Sequence, residues 1–259
     1  MPARNAVSDK AGQVTFTRIE LLISVIARLL GGCRHIAVGA ASPIPGAAAL
    51  LARALSNNAM RVSIINSPRH NSFSDGGVEL FDLAAQGRID AFFLGGGQID
   101  GHGNVNLVGT GTYPNVDVRW PGSFGSAYLY FLVPRVILFR EEHTRRVMVP
   151  KVDFISAPGS SEPGVYRPGG PVALVTNLAQ FAFDRTRRGF YLESVHPGHS
   201  IEEVLDNTGF NFDRGDSIRT TPAPEAEVLR LLRDQVFEEV AQLYPRFATS
   251  LASEAAPAS

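Results

Sequence analysis

Three short runs, the apolar Ile36-Ala37-Val38 and Ala91-Phe92-Phe93-Leu94 and the brief β-branched Val62 to Ile65, constrain this chain more than any other feature of it. A strand with one wet face alternates apolar and polar residues, whereas a run that stays apolar is covered on both faces, as in a parallel sheet between helices. Parallel neighbours need crossover connections, and Ala47 to Leu55 and Val78 to Ala85 have the helical pattern for that role. The predicted fold is therefore α/β, a mainly parallel doubly wound sheet flanked by helices. After Gly111 the texture changes. Tyr113 to Ser126 is rich in Pro and Gly, and further strands are expected at Val133 to Phe139, Val152 to Ile155, Val172 to Thr176 and Phe190 to Val195. The second half is thus more strand-rich, with a short helix at Glu202 to Asn207 and a longer one at Glu225 to Leu243.

Residues 1–16 read as a flexible leader. Thr17-Arg18-Ile19-Glu20 then has the S/T-x-x-E spacing of a capping box, just ahead of the helical pattern from Leu21 to Leu30 that Gly31-Gly32 closes. Residues 17–247 are expected to form a single domain, and the small-residue stretch 248–259 a disordered tail. A hydrophobic content of 44% is enough to fill such a core.

Lys plus Arg (24) nearly cancels Asp plus Glu (25), so the positive field that non-specific binding of nucleic acid or an anionic membrane needs is missing. Cys33 is the sole cysteine, which removes intrachain disulfides and Cys-based zinc sites. No segment has the apolar core of a signal peptide or the roughly 18 apolar residues of a membrane span. These features lead to the expectation of a cytoplasmic protein.

Chemistry is concentrated in Gly95-Gly96-Gly97-Gln98-Ile99-Asp100-Gly101-His102-Gly103-Asn104-Val105-Asn106, directly after an apolar strand. Glycines let backbone N–H groups approach an oxyanion or phosphate, and Gln98, Asn104 and Asn106 add neutral amides. The plainer reading is a tight strand exit with turn residues. A dinucleotide fingerprint would open a long helix, and the residues after Gly103 are turn-like instead. Arg69 and His70, after the second strand, are candidates to hold a carboxylate or phosphate, beside the alternative of a solvated loop. His196-Pro197-Gly198-His199 has the spacing of a metal pair but no third ligand, so a structural turn is favoured. Glu141-Glu142-His143 is a candidate acid/base group or a solvated strand exit.

The same glycine-rich segment resembles the G-x-x-Q-x-D-x-x-G-N-x-N stretch of family I coenzyme A transferase β subunits, of the glutaconate CoA-transferase type. Pro121-Gly122-Ser123-Phe124-Gly125-Ser126 is similar to that family's P-G-S-G-G loop, and His143 to Arg146 with Val152-Asp153-Phe154 to Gly159 to its H-x-x-R and V-D-F-x-x-S-P-G stretch. His196-Pro197-Gly198 and Asn207-Thr208-Gly209-Phe210 match its late H-P-G and N-T-G-F segments. The β subunit of the cholesterol ring-cleaving hydrolase is also similar through the H-P-G segment.

The resemblance implies a CoA-transferase-like (NagB/RpiA-like) fold and an α-type partner subunit. It also implies an acyl-CoA thioester as substrate rather than a permanently bound cofactor, and Gly95, Gly96, Gly97, Gln98, Asn104, Asn106, Gly122 and Ser123 around that thioester. It further implies a glutamate nucleophile in the turn after Val62 to Ile65, where this chain has Asn66-Ser67-Pro68-Arg69-His70. Glu20 and Glu79, the glutamates before residue 140, fall in helical segments. The implied reading is CoA transfer between carboxylic acids with the reacting carboxylate supplied by the partner. The alternatives are hydrolysis of a C–C bond in a cyclic CoA thioester and a non-catalytic partner subunit. A nucleotide-binding oxidoreductase is the remaining rival.

Overall fold

The structure is a computed structural model and is described over residues 15–255; the expected leader lies outside this range apart from Thr15 and Phe16. Along the chain the elements run α1 (Arg18–Leu29), β1 (His35–Val38), α2 (Pro43–Leu55), β2 (Arg61–Ile64), α3 (Gly76–Ala85) and β3 (Ala91–Leu94). Four short strands follow, β4 (Gln98–Ile99), β5 (Val105–Asn106), β6 (Gly109–Thr112) and β7 (Asn115–Arg119). Next come α4 (Ser126–Leu132), β8 (Arg135–Phe139), β9 (Pro171–Val175), β10 (Ala179–Asp184) and β11 (Gly189–Val195). The order closes with α5 (Ile201–Asn207), β12 (Asp213–Thr220), α6 (Ala226–Leu231), a π-helical turn (Leu232–Val236), α7 (Phe237–Leu243) and α8 (Pro245–Ala255). These elements fall into two compact units, one made of the chain up to Ser74 together with Pro222 onward, the other of Asp75–Thr221.

In the first unit β1 and β2 pair in parallel, His35 opposite Arg61 through Val38 opposite Ile64. The capping box forms as expected: Glu20 N–H donates to Thr17 Oγ1 at 3.2 Å, and Thr17 N–H to Glu20 Oε2 at 2.8 Å. Arg233 then forks onto the same carboxylate at 2.6 and 2.9 Å, so Glu20 is a structural residue. The helix expected over Glu225 to Leu243 is present, interrupted by the π-helical turn. Helix α8 continues through Ala255, over most of the stretch for which a disordered tail was expected; residues 256–259 lie outside the described range.

In the second unit the strand order is β12-β11-β10-β9-β8-β3. β3, β8 and β9 are parallel, β9, β10 and β11 antiparallel, and β11 and β12 parallel. The molecule is an α/β protein whose long strands pair mainly in parallel, the short hairpins β4–β5 and β6–β7 being antiparallel, and its later half is the strand-rich one. β3 and the middle of β8 are buried at every position, as two-sided coverage requires. Val152 to Ile155 is irregular rather than a strand. The residues just after it serve the glycine-rich loop instead, with Ser156 and Ala157 N–H both donating to Val105 O.

A buried polar network ties the C-terminal part of this sheet. Thr208 Oγ1 donates to Val204 O at 2.7 Å, so it accepts from His143 Nε2 at 2.9 Å, and Nδ1 of the same ring faces Thr176 Oγ1 at 2.8 Å. Burial first, and the neighbouring His196 second, lower the His143 pKa from its ordinary 6.5 to about 4. As the pH falls, the unfolded chain takes up this proton before the folded one does. The contribution of His143 is therefore complete above pH 6.5 and is lost as the pH falls toward 4, a difference of about 3 kcal/mol. Urea titrations of the wild type and His143→Gln at pH 7 and pH 4 should show that extra loss in the wild type alone; parallel losses would rule it out.

Candidate ligand-binding loops

β3 ends in Gly95, at the carboxyl edge of the parallel strands, where open α/β sheets place their ligands. Three glycines are needed there because there is no room for side chains. A Cβ on Gly95 would lie 2.8 Å from Phe139 O, one on Gly96 would lie 2.5 Å from Val105 Cγ1, and one on Gly97 would overlap the Trp120 ring. The Trp120 ring, just ahead of the Pro121 to Ser126 loop, covers Gly97, while Gly122 holds φ +101° with nothing within 4 Å of a Cβ there. Ser123 O accepts from Ser126 N–H at 2.9 Å and starts α4.

The three amides have partners inside the protein. Asn106 Nδ2 donates to Gln98 Oε1 at 2.8 Å and to Gly109 O at 2.7 Å, while Asn106 Oδ1 accepts from Val108 N–H at 2.9 Å. Gln98 Nε2 donates to Asp153 Oδ2 at 3.0 Å, and Gln98 Oε1 accepts from Asp153 N–H at 3.0 Å. Asn104 Nδ2 reaches Asp100 Oδ2 at 3.0 Å, and Asn104 Oδ1 accepts from Gly159 N–H at 3.1 Å. Gln98 and Asn106 are buried, so these side chains set the shape of the loop that Gly95 to Gly97 present. Asp153, which receives both Gln98 and Gly111 N–H, and Asp100, which receives His102 and Asn104 N–H, were not singled out in the sequence. Asp153 lay in the V-D-F run, the one signal that pointed to it. At the same edge, Arg140 Nε and Asn177 Oδ1 are buried without a hydrogen-bond partner among the described residues, a donor and an acceptor that no sequence pattern marked.

The sequence-predicted Arg69 and His70 lie in the first unit, after β2. Asn66 holds φ +65°, and Ser67 Oγ accepts from His70 N–H at 2.8 Å and Arg69 N–H at 3.2 Å. His70 donates from Nε2 to Glu239 Oε2 at 2.6 Å and accepts at Nδ1 from Arg53 at 3.1 Å, since a guanidinium has no acceptor to offer. Arg69 Nη1 donates to Gln242 Oε1 at 3.1 Å. Both side chains thus bind α7, and His70 already holds a carboxylate. Asparagine tolerates the left-handed region better than most residues. Asn66→Ala should cost about 1 kcal/mol and Asn66→Gly almost nothing, as read from denaturant midpoints; equal losses would show that the turn is unstrained.

The other candidate clusters separate. Glu142 is gripped by Arg146 at 2.7 and 2.8 Å, with Thr144 and Arg140 beside it, and hydrogen bonding from Arg146 holds its carboxyl below the usual range. His143 faces the interior. His196 is buried against Thr221 and Thr176 O, while His199 pairs with Glu203 at 2.9 Å. No group of three metal-binding side chains occurs among the described residues, and none of their helices is long and apolar enough to cross a membrane.

An α/β protein with a glycine-rich loop at the carboxyl edge of its parallel strands is the class that this geometry defines. The chain belongs to the coenzyme A transferase family, whose model matches residues 20–207. It is 36% identical over 164 residues to a 3-oxoadipate CoA-transferase subunit of Pseudomonas knackmussii, covering 60% of this chain and 63% of that protein. Against the cholesterol ring-cleaving hydrolase IpdB subunit of Rhodococcus jostii it is 32% identical over 160 residues, covering 60% and 62%. The match thus spans less than two thirds of these curated relatives. Among solved structures, glutaconate coenzyme A-transferase of Acidaminococcus fermentans superposes with a TM-score of 0.73 at 25% identity, covering 85% of this chain and 94% of that one.

Proposed function

We propose that this chain is the β-type subunit of a cytoplasmic two-component enzyme that processes acyl-CoA thioesters, with transfer of CoA between carboxylic acids as its reaction. Gly95 to Gly97, together with Gly122 and Ser123 of the loop that the family resemblance implies, surround the thioester and offer backbone donors to its oxyanion. Gln98, Asn104 and Asn106 hold that loop in shape. CoA enters and leaves as substrate.

The observation that carries the proposal is the Asn66 turn. It stands where the family resemblance implies a glutamate nucleophile, and neither an amide nor a hydroxyl forms an acyl anhydride at comparable rate. The carboxylate that attacks, or that moves protons, comes from the α-type partner. The same turn favours a second reading, hydrolysis of a C–C bond in a cyclic CoA thioester, because that reaction needs no glutamyl anhydride on this chain.

Incubating the purified pair with a panel of acyl-CoAs, with and without acetate or succinate, separates the two. Transfer requires the acceptor acid and exchanges CoA. Turnover in water alone, with CoA still attached to the product, would replace transfer with hydrolysis, and full activity of the lone chain would sink both.

A further inference from the structure

Arg188 lies in the turn between β10 and β11 and lines two clefts of the second unit, one of about 450 Å³ and one of about 270 Å³. Its guanidinium makes no hydrogen bond or ion pair among the described residues, although Arg187 next to it is matched by Asp184 and Asp213. The smaller cleft also holds Arg167, Arg185, Ser160, Ser161 and Gly164. Arg167 donates to Gly169 O and Tyr130 O, both at 3.1 Å, and stacks between the Tyr130 and Phe131 rings at 5.3 and 5.5 Å. Arg185 Nη2 donates to Gly170 O at 3.4 Å and also to Pro134 O. The two guanidinium groups are thus pinned to adjacent carbonyls, and the Arg167 pKa is lowered by burial, with Arg185 adding to that effect.

Pinning loops to carbonyls accounts for Arg167 and Arg185 as scaffold, but it does not account for Arg188. Arg167, Arg185, Arg188, Ser160 and Ser161 line one cleft whose carboxylate is the exposed Glu162, with Ser161 Oγ accepting from Arg167 Nη1 at 3.5 Å, an excess of positive charge arranged around a space of defined size. We propose that this cleft binds a phosphate group, with Arg188 as the ligand-contacting residue and Arg167 and Arg185 as its preset companions. A tetrahedral dianion accepts from several directions at once, which matches donors converging from the β10–β11 turn and the loop that carries Arg167 better than a planar carboxylate does. The cleft sits at the starting edge of β8 and β9, next to Pro134 and Gly170, whereas Gly95 lies at their finishing edge. It therefore lies away from Gly95 to Gly97, although its wall residue Gly159 packs on His102 and Gly103 at the far end of the same segment.

Calorimetric titration of the full-length chain with inorganic pyrophosphate at low salt tests this. The wild type should bind it, and Arg188→Ala should weaken binding about tenfold or more at an unchanged melting temperature, the loss expected for one charge-assisted contact. Arg188→Lys should recover part of the affinity. No binding into the millimolar range, or equal affinity in wild type and Arg188→Ala, would overturn the proposal. Competition by coenzyme A would identify the ligand as the phosphates of a CoA substrate, and simultaneous binding would identify a separate phosphorylated molecule. Because the readout is binding without turnover, the outcome is independent of which reaction the subunit serves.

Discussion

Asn106→Leu is expected to lower the unfolding free energy by about 4 kcal/mol, although the two side chains are similar in size. Asn106 is fully buried, and its amide satisfies Val108 N–H on one side and Gly109 O on the other. Leucine leaves both backbone groups without a partner in a site that water does not reach, at about 1–3 kcal/mol each. Gln98 loses its donor from Asn106 as well but keeps Asp153 N–H. Asn106→Asp should be as harmful, because a carboxylate would be pressed against Gln98 Oε1 and Gly109 O with no proton to offer. Urea unfolding measures the loss, and hydrogen exchange at Val108 and Gly109 locates it. A cost under about 1 kcal/mol would show that the network relaxes, contrary to the usual penalty for orphaned buried groups.

Gly159→Ala should have an effect of similar size through sterics instead of polarity. A methyl group at this position would lie 2.7 and 2.8 Å from the Gly103 carbonyl carbon and oxygen and closer still to His102 O. All of these are backbone atoms, so no side-chain rotation relieves the clash. Gly159 N–H also holds Asn104 Oδ1, so moving its backbone pulls on the loop from a second side. Overpacking of this kind costs about 3 kcal/mol at the upper end of its ordinary range. Under the proposed function the loss should come with lower turnover of an acyl-CoA, because the loop that presents Gly95 to Gly97 moves with it. A variant as stable and as active as the wild type would show that the 95–106 loop is not the rigid element described.

Much of the framework could be read from local pattern. The Thr17–Glu20 capping box, the short runs of β1, β2 and β3 and the helices near Glu202 to Asn207 and Glu225 to Leu243 all follow from neighbours within a few positions, and each forms where expected, unlike α8. The misreadings have a common physical origin. Val152 to Ile155 has the composition of a strand, but the chain there is recruited by Val105 and the glycine-rich loop. His70 and Arg69 look like anion binders until α7 places Glu239 and Gln242 beside them, about 170 positions along the chain.

The alternation of strand and helix was legible from the residues alone, because burial on two faces is written position by position, and the family resemblance was legible in the ordered motifs from Gly95 to Phe210. Which way the amides point was settled by long-range packing. Gln98 was equally suited to face a ligand or Asp153, and the choice fell to a partner 55 residues away, since a buried amide is stable only where its hydrogen bonds are completed. The same holds in reverse for Arg188, whose spare guanidinium became visible once its neighbours were seen to be matched and it was not.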